Sequence, residues 1–96
     1  MSRFRLTRRA EEDIIEIFAF GCEQFGEAQA EAYGDGMIHV FALLADNPRM
    51  GRAADQIAPR VRRHEYRSHV ILYEGEPGGV LILAVVHGSS VRRLSL

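Results

Sequence analysis

Arg3-Phe4-Arg5-Leu6 alternates polar and apolar residues, the period of a short strand with one buried face. Thr7 follows, and its hydroxyl can cap a helix N-terminus. Glu11, Glu12 and Asp13 then fall in early helical turns, where the helix dipole favours acids. From Arg8 to Phe25 the apolar positions Ala10, Ile14, Ile15, Phe18, Cys22 and Phe25 recur at close to helical spacing, which predicts one buried stripe. Gly26 interrupts the pattern. A second helix is predicted from Glu27 to about Ala45, with Ala30, Tyr33, Met37, Val40, Phe41 and Leu44 on one face. Asn47-Pro48 ends it, because the residue before a proline is pushed out of the helical region. A single glycine between two helices predicts a tight antiparallel hairpin.

Residues 49–59 read as a loop, and three strands follow: Arg60–Glu65, His69–Glu74 and Val80–His87. Gly75 to Gly79, with Pro77, is the turn joining the last two. The order β-α-α-β-β-β predicts one α+β domain over residues 1–96, a helical hairpin packed on a mainly antiparallel sheet. Strict alternation in the last strand puts Val80, Ile82, Ala84 and Val86 on one face and Leu81, Leu83 and Val85 on the other. Both faces are apolar, and one hairpin covers only one of them. Val70, Leu72, Leu81 and Leu83 are therefore expected to form an apolar face for a partner, unless the tail folds back over it.

Composition narrows the class. The chain has 96 residues, 47% hydrophobic and 26% charged, which suits one globular domain. The single cysteine, Cys22, excludes an internal disulfide. No cysteine–histidine cluster has zinc-ligand spacing, so neither metal nor cofactor is expected. Met1-Ser2-Arg3-Phe4-Arg5 has no apolar leader pattern, and the run Val80–Val86 is too short to span a bilayer. A cytoplasmic protein with no membrane partner is expected. Charge is segregated: residues 1–10 carry four arginines and no acid, residues 11–46 nine acids and no base, residues 47–96 eight arginines and four acids. Such blocks can become opposed faces that steer partners. Every basic residue is arginine, which favours bidentate contacts with anionic groups.

Five stretches, in order, resemble ParE toxins of the RelE/ParE superfamily. Phe4-Arg5-Leu6-Thr7 into Ala10-Glu11-Glu12-Asp13-Ile14 is similar to their opening, and Ile17, Phe18 and Gly26 continue it. Asn47-Pro48-Arg49-Met50-Gly51-Arg52 resembles their Pro-x-x-Gly turn. Ser68 to Tyr73 resembles their third strand, and Ile82 to Gly88 their last, which ends in a histidine. The resemblance implies a RelE/ParE-like fold and a toxin of a type II toxin–antitoxin system. Such a toxin inhibits DNA gyrase by direct binding and is neutralised by a ParD-like antitoxin. In the family an aspartate usually follows that histidine; here His87 leads into Gly88-Ser89-Ser90-Val91.

The candidate contact residues for target or partner are Arg62, Arg63, Arg67, Tyr73, His87 and Arg92. Two alternatives stay open. A RelE-type ribosome-dependent mRNA endoribonuclease would need an acid, a base and cations on the phosphate, and Glu65, Arg67, His69, Tyr73, His87 and Arg92 offer those groups. Against it stand the absence of lysine and the net charge of −1, since RNA-seeking proteins are usually basic. No catalytic residue and no sequence-specific nucleic-acid binding by the toxin alone are therefore expected. The other alternative is a decayed toxin that only binds its antitoxin. Weighed against these roles, His87 reads as a hydrogen-bonded structural residue and Tyr73 as core; His39 and His69 read as ordinary residues, His64 as a surface one, and Glu11, Glu12, Asp13 and Glu16 as a solvated helix face.

Overall fold

A computed structural model of the chain describes residues 3–93, except for the side chains of Arg92 and Arg93. Strand β1 (Arg3–Leu6) leads through Thr7 into helix α1 (Arg8–Phe25), followed by helix α2 (Glu27–Asp46). Strands β2 (Arg52–Ala53), β3 (Arg62–Tyr66), β4 (His69–Glu76) and β5 (Gly79–His87) follow, and a short 3-10 turn covers Gly88–Arg93. The sheet order is β1-β5-β4-β3-β2. β1 lies parallel to β5 and every other pair is antiparallel. The parallel pairing follows from the hairpin: two antiparallel helices return the chain, and the first strand then closes the sheet beside the last. The short edge strand β2 was not legible as a strand, because its two residues carry no alternation.

Both helix ends behave as their residues dictate. Thr7 Oγ1 accepts a hydrogen bond from Ala10 N–H at 3.0 Å, the capping bond its position predicts. Gly26 sits at φ 90°, where a side chain would be strained, and its N–H closes α1 on Cys22 O at 3.1 Å. Gly21 rests against Ala30, so close that an added Cβ would lie 3.3 Å from that of Ala30. That pair draws the two helices together.

The helical hairpin covers one face of the sheet. Ala10, Met37, Phe41, Leu44, Ala45, Ile71, Tyr73, Val80, Ile82 and Val85 form this core, with Phe4, Leu6, Ile14, Ile17, Tyr33, Val40 and Tyr66 packed against it. Phe4 meets Phe41 edge to face at 5.4 Å. The α2 face is the one its sequence predicts. The α1 face is not. Its inward line is Ala10, Ile14, Ile17 and Gly21, whereas Ile15, Phe18 and Phe25 are 67%, 41% and 61% exposed. The predicted stripe merged two neighbouring lines, because a small residue at Gly21 hides the true contact line from a count of large apolar side chains.

Strict alternation also fails along β5. The pairing slips between Leu72 and Tyr73, which face Ala84 and Ile82, so Leu83 is an extra bulged residue. Past the bulge the faces exchange: Val85 joins the core beneath the helices, and Ala84 and Val86 turn to the far side. There they pack with Ala54, Val61, Val70, Leu72 and Val91, flanked by Ile57, Ala58 and Leu83. The far face is thus covered by the chain itself, through the 54–61 loop and Val91 of the 3-10 turn. The expected open apolar face is corrected accordingly. Val70 and Leu72 are 2% and 0% exposed and offer no contact surface while these segments stay in place, and Leu81 and Leu83 are half-buried.

Candidate functional site

The six expected contact residues do not converge on one spot. Register places Arg62 opposite Tyr73, while Tyr66, His69 and His87 line up four residues further along the sheet. At about 3.3 Å per residue that is roughly 13 Å. Arg62 and Tyr73 mark one end and Arg67 and His87 the other, while Arg63 lies beside Arg62. The Arg92 side chain lies outside the described residues.

At the first end the groups are structural. The Tyr73 hydroxyl donates to Pro48 O at 2.8 Å and accepts from Gly51 N–H at 2.8 Å. Arg62 Nη1 donates to Gly51 O at 2.6 Å. Together they pin the 47–52 turn to the sheet. Gly51 is required there, because a Cβ would stand 2.5 Å from the Tyr73 oxygen and 2.7 Å from Arg63 O. Burial pushes the Tyr73 hydroxyl pKa up, so it stays a neutral donor. The expectation that Tyr73 touches a target is corrected: it is fully buried. Arg63 and Arg52 share Glu65 at 3.2 and 3.6 Å, surface pairs that contribute little.

The other end gathers rings. Tyr33 Oη lies 2.6 Å from His69 Nδ1, and Tyr66 donates its hydroxyl to Tyr33 O at 2.8 Å. The ring of Tyr33 meets those of Tyr66 and His69 edge to face at 5.0 and 5.6 Å, and His69 meets His87 at 5.6 Å. Gly36 on α2 makes room, because a methyl group there would collide with the Tyr66 hydroxyl. Burial, and secondarily the charge of His87, pulls the His69 pKa down. A neutral His69 can accept the Tyr33 proton at Nδ1. His87 is exposed; its Nδ1 accepts from Ser89 N–H at 3.2 Å and lies 2.8 Å from Ser89 Oγ. Arg67 occupies the β3–β4 turn at φ 52°, exposed, with its guanidinium 5.9 Å from the Tyr66 ring centre.

A shallow groove of about 490 Å³ runs beside this cluster, lined among others by Arg9, Asp13, Glu16, Phe20, His69 and His87. Asp13 is the residue whose role the sequence did not disclose. Its Oδ2 accepts from the N–H of Val85 at 2.9 Å. β1 pairs with β5 only as far as Ile82, so Val85 has no strand partner on that side. Thr7 serves the same edge: its hydroxyl donates to Leu83 O at 2.7 Å and its N–H to Ile82 O at 3.0 Å. The signal was present in the sequence, as the polar Thr7 and Asp13 flanking an otherwise inward Ala10. Among the described residues no group of three or more His, Cys, Asp or Glu could hold a metal ion. No described helix is long and apolar enough to cross a membrane.

A helical hairpin on a five-stranded mixed sheet, with a parallel first strand and a histidine closing the last, defines a ParE-like α+β domain. The model of the family described as "ParE toxin of type II toxin-antitoxin system, parDE" matches residues 4–92. Toxin ParE1 of Mycobacterium tuberculosis is 35% identical over 88 residues, covering 90% of this chain and 89% of that protein. Toxin ParE1 of Caulobacter vibrioides is 30% identical over 96 residues, covering 100% and 99%. A solved chain of the chromosomal ParDE TA system from P. aeruginosa superposes with a TM-score of 0.77 at 17% identity, over 91% of this chain and 96% of that one, and supports the fold. The chain belongs to the ParE toxin family of type II toxin–antitoxin systems.

Proposed function

We propose that this toxin inhibits DNA gyrase in the cytoplasm by binding it directly, and that a ParD-like antitoxin neutralises it. The observation that carries the reading is family membership across residues 4–92, on a fold that preserves each ParE-like stretch in order. The end of the sheet around Arg67, His69 and His87 is the surface we assign to the target. It is exposed at Arg67 and His87, and it is stiffened from below by the Tyr33 and Tyr66 hydrogen bonds. Preorganised contact groups lose little entropy on binding. The toxin works by occupying its target and makes or breaks no bond itself.

Two assays run side by side test the reading. Purified toxin is expected to inhibit supercoiling by gyrase and to accumulate cleaved DNA. Primer extension on mRNA from a translating extract is expected to find no new ends. Codon-dependent mRNA cuts with gyrase untouched would overturn the proposal in favour of an RelE-type ribonuclease. A chain that binds its antitoxin but affects neither gyrase nor mRNA would be a decayed toxin.

A further inference from the structure

The face of the sheet turned away from the helices carries a pocket at its β2–β3 edge. In register, Arg52 stands opposite Arg63, Arg63 opposite Leu72, and Glu65 opposite Val70. Cross-strand partners share a face, and Leu72 and Val70 belong to the far-face core. Arg52, Arg63 and Glu65 therefore all project on that side. Beside them lies a concavity of about 470 Å³ whose wall includes Arg52, Ala54, Gln56, Ile57, Arg63 and Val91. Ala54, Ile57 and Val91 make its apolar part, and two guanidiniums and an amide make its polar part.

The two arginines converge on one anion position, and Glu65 fits that position poorly. Glu65 Oε1 lies 3.6 Å from Arg52 Nη2, and Glu65 Oε2 lies 3.2 Å from Arg63 Nε. Where one arginine meets one carboxylate in this chain, Arg5 to Glu76, the contacts close to 2.7 and 2.8 Å. A single carboxylate split between two guanidiniums does not close on either, and it leaves the trio with one net positive charge. A phosphate group is larger and tetrahedral, so it presents oxygens in more directions, and arginine forks match it as they match a carboxylate. The surroundings favour a chain of phosphates over a lone ion. Arg60 is exposed in the adjoining loop, and Arg92 and Arg93 follow Val91 in the sequence. The nine acids of residues 11–46 belong to the helices on the other face. A polyanion is thus drawn to one side of the molecule and repelled from the other.

We propose that the pocket rimmed by Arg52 and Arg63 is a phosphate site for the DNA backbone, with Glu65 as an internal stand-in that an incoming phosphodiester displaces. The choice of DNA as the polymer rests on the gyrase reading, since gyrase holds DNA beside any protein bound to it. Phosphate contacts position a protein without reading sequence. They give the toxin a second anchor, apart from the surface at Arg67 and His87.

The probe is a short fluorescent DNA duplex titrated with free full-length toxin at several salt concentrations. Glu65→Gln keeps the side-chain shape and removes the competing charge, so it is expected to raise affinity about threefold or more. Arg52→Ala removes a largely exposed side chain, and unchanged melting checks that the fold is kept. It should lower affinity about fivefold and flatten the slope of log affinity against log salt by about 0.9. Arg8→Ala, an exposed arginine on α1, is expected to leave affinity unchanged. A Glu65→Gln variant that binds no more tightly than wild type, or an Arg52→Ala variant with an unchanged salt slope, overturns the site. If poly-glutamate displaces the duplex as well as unlabelled duplex does at equal charge, an acidic protein surface is the occupant and the proposal fails. If inorganic phosphate does so at equal phosphate concentration, a free anion takes the pocket, and the proposal fails again. Gyrase inhibition by a toxin without Glu65-dependent DNA binding overturns the pocket and leaves the gyrase reading standing. DNA binding that depends on Glu65 and Arg52, with gyrase unaffected, does the reverse.

Discussion

The Asp13 carboxylate on α1 accepts the backbone N–H of Val85 on β5 at 2.9 Å, at the point where β1 has run out. A helix side chain thereby completes a strand edge. Asp13→Ala would leave a nearly buried amide without a partner. The expected cost is about 1–3 kcal/mol, read from urea unfolding. Asp13→Asn keeps a carbonyl acceptor and should recover part of the loss. Arg9 lies 3.6 Å from the same carboxylate but is itself largely exposed. Arg9→Ala should therefore change stability by less than about 0.5 kcal/mol. Equal losses for Arg9→Ala and Asp13→Ala would mean the ion pair, not the amide bond, holds the edge.

Tyr73 and Gly51 form a second joint of the same kind. Tyr73→Phe removes one donor and one acceptor and strands both Gly51 N–H and Pro48 O, with an expected loss of about 1–3 kcal/mol. Gly51→Ala drives a methyl group into the Tyr73 hydroxyl and the Arg63 carbonyl. Because one obstacle is backbone, the 47–52 turn must shift, and the same two hydrogen bonds break. The two changes should be less than additive in a double-mutant cycle. Full additivity would show that the hydroxyl does not hold this turn.

Periodicity made the helices legible almost to the residue, since Thr7, Gly26 and Asn47 are strong punctuation. β4 and β5 were legible from their β-branched runs. What the sequence hid has three physical causes. The β5 bulge at Leu83 shifts the side-chain phase by one, so every residue beyond it faces opposite to the count. Gly21 carries the hairpin contact without a large side chain, so the α1 stripe was drawn through exposed residues. The 54–61 loop looks polar and small, yet Ala54, Ile57, Ala58 and Val61 turn inward together once it closes through the 2.8 Å bond from Ala54 N–H to Val61 O. Of the candidate contacts, Arg67 and His87 are exposed as a contact role requires, and the exposure of His87 at the end of an apolar strand was not legible. Tyr73 was legible as core, whereas its hydroxyl partners were not, because they are backbone atoms that sequence does not display.

Position within the sheet divides the arginines by role. Arg62 is tied to Gly51 O, so Arg62→Ala should lower the melting temperature by several degrees, as loss of about 1–2 kcal/mol does in a domain of this size. Arg67 is exposed in a turn, with its guanidinium 5.9 Å from the Tyr66 ring centre. Arg67→Ala should leave melting unchanged and weaken gyrase inhibition roughly 2- to 5-fold, mainly through slower association at low salt. An Arg67 variant as potent as wild type at every ionic strength would remove this turn from the target surface.

Acid should loosen the ring cluster before it reaches the carboxylates. Neutral His69 can accept from Tyr33 at Nδ1, and burial together with His87 holds its pKa below the ordinary 6.5. The unfolded chain therefore takes up the proton at a higher pH than the folded chain does. Stability contributed by neutral His69 is complete above about pH 6.5 and falls as pH drops through that value toward the lower folded pKa. His69→Phe loses the Tyr33 hydrogen bond at all pH values, yet its stability should be flatter between pH 7 and pH 5. His87→Ala removes the neighbouring charge, so the His69 resonance in an NMR titration should move part of the way back toward 6.5. Tyr33→Phe deletes the donor, so the folded His69 pKa should move back toward 6.5 and stability should fall less between pH 7 and pH 5 than in wild type. If wild type and His69→Phe lose stability in parallel across this window, the histidine is not the sensor.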